Sequence, residues 1–298
     1  MIGGVEKHCL EVGKRLVKKR YGVTVITERL NLSKVSEVSE VLEGINIYRI
    51  PITTKERFKK FQIWLWLFKN RKLIREADIV HCHDVFFWYL PFRFLYPRKK
   101  VFVTFHGWEG IYPPRWQAKA IRKISEKLSF GNICVGDYIK EWYGTKPDYV
   151  TYGGVDIVQS AKCKVQSYSS KFKILFIGRL EKDTGVPIYL KALEILRNDV
   201  RQLADWGEVG FAGDGSLRKE AERLGNVLGF IEDVREPIQK SDFVFTSGYL
   251  SILEAMANKK LVFATFDNPL KEDYLKMSPF SKWIVIESDP KELAKKVK

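Results

Sequence analysis

The sequence predicts an α/β protein built from two parallel-sheet halves, and three observations carry that expectation. Short apolar or β-branched runs alternate with helical segments along the whole chain. The rhythm breaks at a polar stretch, Val165-Gln-Ser-Tyr-Ser-Ser-Lys171, and restarts at Lys173. At 298 residues the chain is long for one core and comfortable for two. The expected domains are therefore 1–164 and 165–298.

In the first half, Val5 to Lys19 reads as a helix, with Val5, Leu10, Val12, Leu16 and Val17 set among charges. Gly22–Thr27 is a buried strand rich in β-branched residues, and Ile45–Ile50 is a second, stopped by Pro51. Lys55 to Arg75 is helical. Ala77–His81, Val101–Phe105, Ile133–Val135 and Tyr149–Thr151 complete the strands. In the second half the strands are Lys173–Ile177, Glu208–Ala212, Asn226–Leu228, Phe243–Phe245, Leu261–Ala264 and Trp283–Ile286. Helices over Val186–Arg197, Leu217–Leu224, Ile252–Asn258 and Pro290–Lys298 separate them. Alternation of this kind predicts a parallel sheet in each half, with ligands at the carboxyl ends of the strands.

Composition narrows the function classes. The four cysteines, Cys9, Cys82, Cys134 and Cys163, are far apart and form no C-x-x-C, so neither a disulfide framework nor a zinc site is expected, and the natural compartment is the cytoplasm. No run of about 18 apolar residues would span a bilayer. Met1-Ile-Gly-Gly4 runs straight into a charged amphipathic segment, unlike a secretory signal. The net charge of +15 fits a nucleic acid, an anionic membrane surface or phosphorylated small molecules, or simple solubility.

Chemistry-bearing residues gather at strand-to-helix junctions. Gly178-Arg179-Leu180 follows a strand, and Gly185 precedes a helix. Such a junction offers backbone N–H groups to a phosphate, and Arg179 adds a fixed charge. Gly213-Asp-Gly215 is a second such turn, weak by itself. Ser247–Ser251 leads into Ile252-Leu-Glu254, where Glu254 either favours the helix dipole or accepts ribose hydroxyls. All four histidines, His8, His81, His83 and His106, lie in junction segments of the first half. His81 and His83 share a strand face, but no third metal ligand is evident from the sequence.

Taken in order, these segments resemble glycosyltransferase family 4 over essentially the whole chain. The matching pieces are Gly3-Gly-Val-Glu-Lys-His8, Val80-His-Cys-His-Asp84, Thr104-Phe-His-Gly107, Tyr152-Gly-Gly-Val-Asp156, Phe176-Ile-Gly-Arg-Leu180 with Gly185, Gly213-Asp-Gly215 and Leu253-Glu-Ala-Met-Ala257. The resemblance implies the GT-B fold, two Rossmann-like domains facing across a cleft, and a retaining, metal-independent transfer from a nucleotide-sugar such as a UDP- or GDP-sugar, with no further cofactor. It implies that Arg179 neutralises the leaving diphosphate, Glu254 holds the ribose, the backbone near Phe230 meets the base, and His106 lies beside the transferred sugar. Gly3, Gly4, Lys182, Gly213, Ser251 and Ile252 complete the implied donor site.

Three positions depart from the family pattern. Thr246 stands where a glutamate is usual, and Thr184 where a lysine is usual, with Lys182 nearby as a substitute. Gly153 replaces the asparagine of an N-G-V-D segment. The family also has a strand ahead of the glycine pair and a helix after the second domain; neither is evident here, so the sequence reads as a fragment or a miscalled start. The missing strand is expected to leave a slot in the first sheet.

Within 55–75, Phe58, Phe61, Trp64, Trp66 and Phe68 are interleaved with lysines and arginines. The stretch is either a core-facing helix with solvated cations or a dock for an anionic membrane, which would suit a lipid-linked acceptor and a peripheral position on the inner face. Rival readings are a GT-B relative that binds nucleotide-sugar or glycan without turnover, and a 2-epimerase on the same fold. A nucleic-acid partner is not expected, for no recognition motif accompanies the charge.

Overall fold

The computed structural model describes residues 4–28, 39–52, 56–107, 110–156, 172–198 and 206–298. Gly3, Cys163 and the expected boundary at 164/165 lie outside the described residues.

The first half runs α1 (Gly4–Lys18), β1 (Thr24–Glu28), β2 (Ser39–Leu42), β3 (Ile45–Ile50), α2 (Glu56–Lys69), α3 (Arg71–Glu76), β4 (Ile79–His83), α4 (Phe86–Leu95), β5 (Lys100–Phe105), α5 (Trp116–Leu128), β6 (Gly131–Val135), α6 (Tyr138–Tyr143) and β7 (Tyr149–Thr151). The second runs β8 (Phe172–Ile177), α7 (Val186–Asn198), β9 (Trp206–Ala212), α8 (Arg218–Glu222), β10 (Asn226–Gly229), α9 (Arg235–Lys240), β11 (Phe243–Phe245), α10 (Tyr249–Ala257), β12 (Leu261–Thr265), α11 (Pro269–Lys276), β13 (Val285–Glu287) and α12 (Pro290–Val297). Single 3-10 turns cover Lys182–Thr184 and Ser281–Trp283.

Local chemistry explains several boundaries. Asn268 caps α11 by accepting the Lys271 N–H, and Asp289 caps α12 by accepting those of Lys291 and Glu292; each cap is followed by a proline at the first helical position. Gly144 ends α6 in the left-handed conformation, φ 64°. The helix expected over 55–75 is two helices, interrupted at Asn70, whose side-chain amide donates to the Trp66 carbonyl at 2.9 Å.

The second half meets the parallel-sheet expectation. Its six strands lie in the order β10-β9-β8-β11-β12-β13, and every pair is parallel. Alternation along the strands feeds two cores. Ile174 and Phe176 join Tyr189, Phe211, Phe245 and Phe263 on one face, while Leu175 and Ile177 join Val244, Ile252 and Val262 on the other.

The first half departs from it. Its strands form two sheets, a parallel four-stranded β4-β5-β6-β7 and a three-stranded β1-β3-β2 in which β2 is antiparallel. The antiparallel β2 escaped the sequence reading because Ser39-Glu-Val-Leu42 carries only two apolar residues and sits largely in solvent. Ile26 of β1 and Val80 of β4 pack on one shared core with Ile50, Val101 and Val103. Among the described residues, no strand pairs with the outer edge of β1 or of β4. The sheet is thus divided where the resemblance puts a strand ahead of the glycine pair.

The halves interlock through aromatic side chains. Tyr249 and Tyr274 stack at 3.9 Å, Tyr138 packs edge-on to Tyr274, and Tyr152 packs against Tyr249 and Phe280. The Trp142 indole N–H donates to Asp273 at 3.0 Å.

Two loops at the carboxyl end of the second sheet are tied backbone to backbone. The Gly178 N–H donates to Ala212 O, Leu180 N–H to Asp214 O, and Leu217 N–H to Leu180 O, at 2.9–3.2 Å. A Cβ on Gly213 would overlap the carbonyl oxygen of Gly178, so only glycine admits this approach. Gly213→Ala is expected to destabilise the protein by about 3 kcal/mol through backbone overpacking, with a clear fall in Tm by circular dichroism. An unchanged Tm would show that the loops can separate freely.

Candidate functional site

The site begins where the strands end. β4 and β5 are in register with His83 beside Thr104, which brings His83 next to His106. His83 Nδ1 lies 2.8 Å from His106 Nε2, and His81 Nε2 lies 2.7 Å from Thr104 Oγ1. His8, from α1, packs edge-on to His106 with ring centroids 5.3 Å apart. The backbone N–H of His106 donates to the Asp84 carboxylate at 3.1 Å. All four histidines therefore converge, a gathering the sequence did not disclose because His8 and His106 are remote from the β4 pair. Among the described residues, no group of three or more His, Cys, Asp or Glu side chains could hold a metal ion.

Burial first, and neighbouring imidazoles second, depress these histidines. His83 is lowered to about 3 and His106 to about 4; His8 and His81 are lowered too. At neutral pH the His83–His106 contact is a hydrogen bond between two uncharged rings, in which one nitrogen donates and the other accepts. Cys82 points to the opposite face of β4, where burial pushes its thiol up to about 12.

After His106 the chain is held from below. Arg122 is buried between the rings of Phe105 and Tyr143 and donates to the Gly107 carbonyl. At Gly110 the loop reaches the second half, where an added Cβ would lie 3.9 Å from Asp183 Oδ2. Asp183 in turn pairs with Arg179 at 2.8 Å. Gly110 of the first half thus lies beside the Arg179–Asp183 pair of the second.

The second crossing is an ion pair. Lys7, in the first turns of α1, meets Glu254 of α10. Because α10 starts at Tyr249, Glu254 is in its second turn, so the helix-dipole reading of this carboxylate fails. Lys7 carries no motif beyond its place after the glycine pair; only the fold brings it to Glu254.

Other expected donor-site residues fall unevenly. Gly4 opens α1 in solvent, with nothing crowding its Cα. Phe230 follows β10 and is exposed, as a base platform would be. Ser251, at the start of α10, shares a 2.6 Å hydrogen bond with Thr246 Oγ1. Ile252 is fully buried and its N–H donates to Gly248 O, so its place is in the core. The N–H groups of Gly178 and Leu180, expected to face a phosphate, instead tie the two loops together.

The three departures have structural content. Thr246 is 1% exposed and donates to Ile177 O at 2.8 Å, joining β11 to β8 at the position where the family carries a glutamate. Thr184 Oγ1 sits 2.7 Å from the carbonyls of both Arg179 and Glu181, closing the turn. Gly153 adopts φ 83°, a conformation that suits glycine better than asparagine. Lys182 lines a groove with Pro187, Glu194, Leu217 and Glu220.

Residues 2–159 match the family model described as Glycosyltransferase Family 4, and residues 171–298 match Glycosyl transferases group 1. A glycosyltransferase from Rickettsia africae is similar at 19% identity and TM-score 0.64, covering 99% of this chain and 84% of that one. The sucrose-phosphate synthase of Thermosynechococcus elongatus is similar at 16% identity and TM-score 0.72, covering 99% and 83%. An Anabaena protein, HepE, solved in complex with UDP and glucose, is similar at 14% and TM-score 0.69, covering 100% and 86%. A search of curated proteins found no match. The structural neighbours share the GT-B fold, which the paired Rossmann-like sheets here reproduce.

The depressed histidines set a pH dependence. In the unfolded chain an imidazole takes up its proton near pH 6.5. In the folded chain His83 and His106 stay neutral until about pH 3 and 4. Between those limits the unfolded state binds more protons, so stability is full above pH 6.5 and falls as the pH drops. Acidification from pH 6.5 to 4.5 is expected to remove about 4 kcal/mol, about 2 from each of the two histidines, since a tenfold change in proton affinity is worth about 1.4 kcal/mol. A His83→Gln/His106→Gln variant should lose less over the same range in urea melts, and an equal loss would put the acid sensitivity elsewhere.

Proposed function

The chain belongs to glycosyltransferase family 4, and from that premise we propose that it is a retaining transferase that moves a sugar from a UDP- or GDP-sugar to a glycan acceptor. The observation that supports this reading best is the double crossing of the cleft. Lys7 meets Glu254 at one point, and the loop after His106 meets the Arg179–Asp183 pair at another. In this reading a nucleoside diphosphate-sugar lies with its ribose at Glu254, its diphosphate at Arg179 and its sugar toward His106.

The chemistry is electrostatic. As the bond from the anomeric carbon to the diphosphate breaks, negative charge grows on the leaving oxygen, and Arg179 is the fixed cation placed to meet it without a metal. The acceptor oxygen forms the new bond on the same face and passes its proton to the departing phosphate. His106, held neutral, offers the sugar a hydrogen bond and no competing charge. Glu254 exchanges Lys7 for ribose hydroxyls. The base stacks near Phe230, and Ser251 flanks the phosphates.

A second reading is favoured by one observation, the buried Thr246. It cannot reach a sugar, so a relative that binds nucleotide-sugar without turnover remains in contention.

The acceptor is proposed to be lipid-linked, with the protein peripheral on the inner membrane face in the cytoplasm. On α2, Ile63 and Leu67 face the core, while Phe58, Phe61, Leu65 and Phe68 form an outer stripe at helical spacing, 56%, 65%, 58% and 40% exposed. Lys69, Arg71, Lys72 and Arg75 lie exposed beside it. No helix among the described residues is long and apolar enough to cross a membrane. The stripe suits insertion to the depth of the headgroups, where each basic residue adds about 1 kcal/mol.

Isothermal titration with UDP, GDP and ADP is expected to find one nucleotide that binds, weakened roughly tenfold or more by Arg179→Ala and by Glu254→Ala. Binding without release of sugar or product over long incubation would select the second reading; no binding to the folded protein would remove both. In sedimentation, the protein is expected to follow vesicles containing phosphatidylglycerol, and Phe61→Ser/Leu65→Ser to stay in the supernatant. Equal sedimentation with neutral vesicles, or of the double variant, would remove the membrane dock.

A further inference from the structure

We propose that Lys271 is a second diphosphate-binding cation of the donor site; this assignment rests on the donor-site reading above. Arg179 alone is poorly matched to a diphosphate. Its guanidinium is already paired with Asp183, so the two together present no net charge. A diphosphate carries two or more negative charges, and burying it in a closing cleft calls for more than one cation.

Lys271 is positioned to supply the other. It lies in the first turn of α11, just after β12, at the same carboxyl-end edge of the sheet as the Arg179 loop. Its Nζ donates to the backbone carbonyl of Asp183 at 2.6 Å. The ammonium thus sits against the 3-10 turn that carries Asp183, one residue before Thr184. Thr184 cannot itself meet an anion as a cation would, and its hydroxyl is spent on the carbonyls of Arg179 and Glu181. Lys182, the other lysine of the turn, lines the outer groove instead. Lys271 therefore stands as the cation that reaches this turn from outside it.

The surroundings of Lys271 suit an anion that comes and goes. Burial lowers its proton affinity, Asp267 and Asp183 oppose that, and Arg179 adds to it. An arriving phosphate would offset the cost of keeping the ammonium charged and would draw Arg179 and Lys271 toward one group. The backbone placement is firm, because the Asn268 cap and Leu270 in the core fix the first turn of α11.

The test compares a nucleoside diphosphate with its nucleoside. Wild type, Lys271→Met and Lys271→Arg are titrated with the diphosphate that binds wild type and with the matching nucleoside, and each Tm is recorded. Lys271→Met is expected to weaken the diphosphate roughly tenfold to a hundredfold, as loss of a charge-assisted hydrogen bond would, and to leave nucleoside affinity unchanged. Lys271→Arg is expected to restore most of the diphosphate affinity. Equal weakening of both ligands, or a diphosphate affinity in Lys271→Met equal to wild type, would overturn the assignment and leave the donor-site reading standing. Failure of wild type to bind any nucleoside diphosphate would overturn that reading and this one together. If Lys271→Met melts much lower than wild type, Lys271→Gln and Lys271→Arg decide, since both keep a donor for the Asp183 carbonyl but only arginine keeps the charge.

Discussion

The stack of Tyr249 on Tyr274 is the contact on which the rest of the cleft depends. The rings lie 3.9 Å apart and nearly parallel, and two hydrogen bonds lock them. The Tyr249 N–H donates to the Tyr274 hydroxyl at 2.8 Å, and the Tyr249 hydroxyl donates to the Tyr274 carbonyl. The pair therefore joins the start of α10 to the end of α11. Gly136 closes against it from the first half, where a Cβ would come within 2.8 Å of the Tyr249 hydroxyl, and Tyr138 packs on Tyr274. Burial holds the hydroxyls of Tyr138, Tyr249 and Tyr274 above the usual tyrosine range, so this junction stays uncharged through the physiological range. With α10 and α11 fixed, Glu254 and Lys271 acquire definite places opposite α1 and the His106 loop.

Charge in this protein is sorted by position. The net charge of +15 lies mostly on solvated lysines and arginines. Inside the cleft the groups are few and nearly balanced: Lys7 with Glu254, Arg179 with Asp183, and four imidazoles held neutral. In the proposed donor site a neutral histidine cluster matters physically, because a cation beside the sugar would compete with Arg179 for the diphosphate. Exposed pairs such as Arg218 with Glu222 contribute little to stability and serve mainly solubility. The Lys7–Glu254 pair differs in consequence, since it joins the two halves.

Much of this was legible in the sequence. The strand–helix alternation, the second sheet, the placement of Arg179, Phe230 and His106 at strand ends, and that of Glu254 on a helix followed from apolar periodicity and from the motifs in order. The misses have physical causes. Helices α4, α6, α9 and α11 escaped because periodicity is weak in short or uniformly apolar segments such as Phe86–Leu95, whereas α5, Trp116–Leu128, carries a clear amphipathic pattern that was legible. Convergence of the four histidines depends on the β4–β5 register, which sequence alone does not fix. Lys182 stands out as a replacement for a lysine at Thr184 because it is near in sequence; Lys271 lies 87 residues beyond Thr184, and only the fold brings its ammonium to the carbonyl of Asp183. The N–H groups of Gly178 and Leu180 looked available because the loop that takes them, 213–217, is distant in the chain.

The divided first sheet raises the question of how α1 can hold Lys7 and His8 in place. The helix is gripped on both sides of the division. Gly13 lets it approach the three-stranded sheet so closely that a Cβ would lie 2.7 Å from Ile45, and Val17 fills the space above Gly44. On the other side, Arg15 reaches Asp156, just past β7, at 2.6 Å. That ion pair is exposed and adds little to stability. His8 packs on His83 and His106, which belong to the four-stranded sheet. The helix is therefore the brace between the two sheets. Because Lys7 precedes His8 on that brace, the cation that meets Glu254 takes its position from both sheets of the first half, while Glu254 takes its own from the tyrosine stack of the second. The Lys7–Glu254 contact thus registers the alignment of the two domains, which the aromatic junction around Tyr249 and Tyr274 holds independently.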